Sequence, residues 1–121
     1  MEVDYMKKNI SNHALSIIKK MQQNELTESF IYFEISKHVK DLKNRETLRR
    51  LADEERVHYE IWKKYTGIEM KPEKGKVMRF VTIARIFGFT FAVKLMEKGE
   101  ENAQIQYDKL AEEVPESIKI K

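Results

Sequence analysis

An all-α fold follows from three features of this 121-residue sequence. Charged residues make up 36% and hydrophobic residues 41%, a balance that suits helices with one apolar face each. Four Gly and two Pro are too few for the turns of a β-rich domain. Long segments place apolar residues three and four positions apart, the helical period. The length suits a single domain over residues 1–121 with a core of its own. With no Cys, disulfides, thiolate zinc sites and iron–sulfur clusters are excluded, so any metal must be held by carboxylate and imidazole. The net charge of +3 is too small to indicate a nucleic-acid partner, and none is expected. Met1–Asn9 is polar and no small-residue cleavage site follows it, which points to the cytoplasm.

The first helix is expected over about residues 11–40. Leu15, Ile18, Met21, Tyr32, Ile35 and Val39 share one face, and Ser11 or Asn12 supplies the N-cap. A short polar connection, Asp41–Asn44, makes the next helix antiparallel to the first. That second helix is expected over about 45–65, with Leu48, Leu51, Ala52, Tyr59 and Trp62 as its stripe and Gly67 as its stop. Residues 66–76 read as a loop. A third helical segment is expected over about 77–113, with a bend near Gly88.

Residues 77–96 are apolar over much of a helical circumference, but Arg79, Arg85 and Lys94 interrupt them. Charges at a bilayer centre are expensive, so the segment is expected to pack between helices or subunits and not to span a membrane. Seven basic residues against two acidic ones between 71 and 98 give a local excess of +5, and a solvated surface is the first expectation for it. Pro115-Glu116 reads as the start of a fourth helix that is cut short at Lys121.

Three polar residues fall on apolar stripes. Glu25 lies seven residues, two turns, from both Ile18 and Tyr32. Glu55 falls between Leu51/Ala52 and Tyr59/Trp62, and His58 follows it at i+3 on the same face. A buried carboxylate costs several kcal/mol, roughly, unless it is paired or coordinated, and a hard metal ion is one such partner. Taken singly, these residues have a plainer reading. Glu-x-x-His recurs by chance in charged helices, Glu28 and Glu34 show how common Glu is here, and Tyr32 and Trp62 suit any core. An internal repeat strengthens the combination. Met21, Glu25, Tyr32, Ile35 and Ser36 recur as Met96, Glu100, Tyr107, Leu110 and Ala111, at a constant offset of 75.

Together these residues resemble the rubrerythrin branch of the ferritin-like superfamily. The resemblance rests on NELTESFIY (Glu25, Tyr32), LADEERVHYEIW (Glu55, His58) and GEENAQIQY (Glu100, Tyr107), and covers roughly residues 14–115. The segments HYEIWKKYTG and FAVKLMEKGEENAQ are most similar to ferritin-like domains that precede vacuolar-iron-transporter-like membrane domains. The resemblance implies a ferritin-like helical bundle around a di-iron centre, with manganese or zinc as metals the same ligands accept. It implies Glu25, Glu55, His58 and Glu100 as ligands, Glu55 as a bridge, and Tyr32 and Tyr107 as hydrogen-bond donors to the carboxylates. The implied activity is oxidation or handling of iron, or peroxide reduction by a di-iron oxidoreductase. The sequence departs from the pattern in lacking the fourth helix and its Glu-x-x-His. Either the chain is part of a longer, membrane-linked protein, or a homodimer completes the bundle, since two copies of helices one and two supply four Glu and two His. The competing reading is a metal-free structural or dimerisation module that kept the shape and lost the site.

Overall fold

The computed structural model describes the backbone of residues 11–110 and the side chains of residues 11–99. These residues are all-α: α1 (Asn12–Ser36), α2 (Leu42–Thr66), α3 (Lys74–Phe87) and α4 (Phe89–Leu110). Pro115 and the helix expected after it lie outside the described residues.

The ends of α1 and α2 and the break between α3 and α4 each have a local cause. The Ser11 hydroxyl accepts from the Ala14 amide at 3.1 Å and caps α1. At the far end the chain tightens into i→i−3 bonds through Lys37, His38 and Val39, so α1 ends at Ser36, short of the expected end near 40. The Asp41 carboxylate accepts from the Asn44 amide at 3.0 Å, so α2 starts at Leu42 and not at 45. Gly67, at φ 66°, takes the left-handed conformation that stops α2 where the sequence placed the stop. The third segment is two helices, not one bent helix. Gly88 stands at φ 95° and ψ 154°, a conformation outside any helix and open in practice to Gly alone.

α1 and α2 form the most extensively packed pair, and α3 and α4 lean mainly on α1 and on each other. Near the α1–α2 turn, Ile31, Tyr32 and Ile35 of α1 and Val39 of the turn meet Leu48 and Ala52 of α2, with Ala92 and Met96 of α4 closing the cluster. Toward the other end, Ile17, Ile18 and Met21 of α1 and Tyr59, Trp62 and Tyr65 of α2 are buried, and the Trp62 and Tyr65 ring centroids lie 6.2 Å apart. Of the expected stripes only Leu15 and Leu51 stay half-buried.

Polar contacts fix how these layers align. The buried Ser29 hydroxyl donates to the Ala52 carbonyl at 2.8 Å, setting α1 against α2. The loop after α2 is tied to the middle of α1. Gln22 donates to the Ile68 carbonyl and accepts from the Thr66 hydroxyl, both at 2.6 Å, and Gln23 donates to the Lys71 carbonyl at 2.8 Å. The Glu73 amide donates to the Thr27 hydroxyl at 3.1 Å, and the Met70 amide to the Tyr59 hydroxyl at 3.0 Å. Residues 22, 23 and 27 flank Glu25, so the loop holds α1 at that level.

α3 bears on the expected packing of residues 77–96. It packs one side against the core cluster, through Val77, Phe80, Val81, Ile83 and Ala84, yet no residue of α3 is fully buried. Met78, Ile86 and Phe87 remain largely exposed, so among the described residues the apolar stretch is covered on one side only.

Candidate metal centre

Between the two apolar layers of α1 and α2 the facing side chains are polar. Glu25 is buried, 8% exposed, and Glu55 and His58 are half-buried. The i,i+3 spacing sets Glu55 and His58 on one face of α2, and the Ser29–Ala52 bond brings that face level with Glu25. His58 Nδ1 lies 3.2 Å from Glu25 Oε2 and 3.4 Å from Glu55 Oε1. One ligand atom from each of the three falls within 4.8 Å of the others. Bonds of about 2.1 Å to a shared cation hold neighbouring ligand atoms about 3 Å apart, so this spacing fits a metal ion with little movement.

The electrostatics point the same way. Burial is the largest influence on Glu55 and raises its carboxyl from 4.5 to about 7, with Glu25 adding to the rise and His58 opposing it. Hydrogen bonds to Glu25 and then Glu55 raise His58 from 6.5 to about 10, against the opposing effect of burial. At neutral pH the ion-free cluster therefore holds an imidazolium beside Glu25 and beside a Glu55 carboxyl that burial makes costly to ionise. A divalent cation would replace that proton charge with a stronger one, and the donor set (carboxylate oxygens with one imidazole nitrogen) suits iron, manganese or zinc.

One further residue joins the cluster. Glu28 reaches the Glu55 carboxyl with a hydrogen bond that favours its ionised form. It stands one turn beyond Glu25, so α1 contributes Glu-x-x-Glu opposite the Glu-x-x-His of α2. The i+3 spacing after Glu25 was the available signal, hidden because Glu is frequent along α1.

Tyr32 is buried, and its ring belongs to the core cluster with Ile31, Ile35 and Ala92. Glu100 and Tyr107 fall on α4, but their side chains lie outside the described residues. The chain matches no protein-family model, no curated protein and no solved structure.

Proposed function

We propose that this chain is a metal-binding protein of the rubrerythrin-type ferritin-like kind, with iron as its metal. The observation that carries the reading is the convergence of Glu25, Glu55 and His58 from two helices, with one ligand atom of each within 4.8 Å of the others, in a register supported by the buried Ser29–Ala52 hydrogen bond. Glu25 and Glu55 would hold the ion through carboxylate oxygens and His58 through Nδ1, with Glu28 orienting Glu55. Bound iron would supply redox chemistry toward oxygen or peroxide, or serve iron handling. The protein's own part is to gather negative charge in a partly buried gap, to keep His58 aimed by the rigidity of α2, and to release protons from His58 and Glu55 when the cation enters. In this reading a second copy completes the ligand set beside the α1–α2 pair, and the assembly works in the cytoplasm. Among the described residues no helix is long and apolar enough to cross a membrane.

A second reading rests on one observation. Without an ion the cluster satisfies itself, because the His58 imidazolium bridges Glu25 and Glu55. A helical module that has lost its metal could be held together in that way. Proton counting separates the two readings. Anaerobic calorimetric titration with ferrous ion at pH 7, in two buffers of different ionisation enthalpy, should show release of about one to two protons per ion bound. Absence of binding heat with an intact helical fold would favour the metal-free module.

A further inference from the structure

α3 packs one apolar side on the core, and its remaining surface mixes exposed Lys74, Arg79, Thr82 and Arg85 with large apolar side chains. Outside the residues that pack on the core, Met78, Ile86 and Phe87 are 70%, 67% and 66% exposed. α4 continues the pattern, for Ala92 and Met96 are buried while Phe91 is 50% and Leu95 41% exposed. The Phe87 and Phe91 rings meet with centroids 5.4 Å apart, so with the neighbouring Ile86 they form one apolar ridge across the Gly88 break. An apolar ridge of this kind marks a binding surface.

Its charge indicates what it binds. From Lys74 to Met96 the sequence carries five basic residues and no acidic one. Lys74, Arg79, Arg85 and Lys94 are exposed, and none of the five is ion-paired with another described residue. The outer surface of α2 differs, since there Arg50 pairs with Glu54 and Arg56 with Glu60. Two copies meeting ridge to ridge would set like charges against each other, which opposes self-association. An anionic bilayer surface complements both features, because its headgroups attract the cations and its acyl boundary takes the apolar side chains. We propose that the α3–α4 face docks this protein on an anionic lipid surface, with Ile86, Phe87 and Phe91 in the interface and Arg79, Arg85 and Lys94 at the lipid phosphates. The helices would lie in the plane of the surface, consistent with neither of them being able to span it.

Co-sedimentation of the full chain with vesicles tests this. One set is phosphatidylcholine alone, and the other contains about one quarter phosphatidylglycerol. Binding to the anionic vesicles is expected to exceed binding to the neutral ones about tenfold, and to fall steeply at about 0.5 M salt. The double variant Phe87→Ser/Phe91→Ser removes only exposed side chains; it should lose about tenfold in anionic-vesicle binding with an unchanged circular-dichroism melt. Arg85→Glu, which leaves the ridge intact, should weaken binding in the same direction. Equal partition to both vesicle types, or no binding to either, overturns the proposal. So does a dimer that the Phe87→Ser/Phe91→Ser change converts to monomer, because the ridge would then be a protein interface.

Discussion

α1–α2 and α3–α4 solve opposite problems with similar numbers of apolar residues. The first pair keeps a polar cluster between two apolar layers and aligns it with hydrogen bonds from Ser29 to the Ala52 carbonyl, from Thr66 to Gln22 and from the Glu73 amide to Thr27. The second keeps apolar side chains on its outside, and its described side chains form no such cluster. What distinguishes them is placement: a polar residue on a stripe that faces another helix becomes a site, while an apolar residue on a face without a neighbour becomes a contact surface. Stability should therefore reside in the first pair, and binding to external surfaces in the second.

The largest expected effect tests that division directly. Trp62 is fully buried, and Trp62→Ala should cost about 3–5 kcal/mol in urea denaturation. Phe87, of similar bulk but two-thirds exposed, should cost less than about 0.5 kcal/mol when changed to Ala. Comparable losses would mean that the α3–α4 ridge is covered in solution.

A second effect concerns pH in the presence of chelator. His58 holds its proton more tightly in the folded chain, at about 10 against 6.5, so its contribution is complete below pH 6.5 and is lost as pH rises toward 10. Glu55, raised from 4.5 to about 7, has the same sign, with a contribution complete below pH 4.5 and lost as pH rises through 7. The metal-free chain should lose stability on going from pH 7 to pH 9, with a slope of up to about 1.4 kcal/mol per pH unit. His58→Gln should flatten that slope. Metal affinity should move the other way, rising with pH as the competing protons leave. A His58→Gln slope equal to that of wild type would remove His58 from the cluster.

Much of this arrangement was legible in the residues. The stripes of α1 and α2, the Gly67 stop and the convergence of Glu25 with Glu55 and His58 all follow from helical period and antiparallel pairing, which are local rules. Three things were not. The start of α2 turned on Asp41 acting as a cap, where it had read as part of a loop. The split at Gly88 depended on a backbone angle that a Gly in an apolar run does not announce. Glu28 was passed over because its role comes from what α2 sets opposite it. In each case the deciding contact lies outside the periodic pattern.

Smaller changes sharpen the comparison. Glu55→Leu should stabilise the metal-free chain by about 1–2 kcal/mol at pH 8, because it replaces a carboxylate that burial disfavours with a side chain suited to the stripe. A lower melting temperature than wild type in chelator would instead make Glu55 a structural residue satisfied by protein groups. Ser29→Ala removes the buried bond to the Ala52 carbonyl and should cost about 1 kcal/mol. If that bond aligns the site, metal affinity should fall as well, which a change on the α3–α4 ridge such as Phe91→Ser should not cause.

The central claim is that Glu25, Glu55 and His58 act together on one ion. It is tested most directly by the iron bound per chain after aerobic reconstitution and desalting, in wild type, Glu55→Ala and His58→Ala. Wild type should retain iron, and each variant should lose most of it while keeping its helical content, since either change breaks the set of three donors. Equal iron in all three proteins, or none in wild type, would contradict the account.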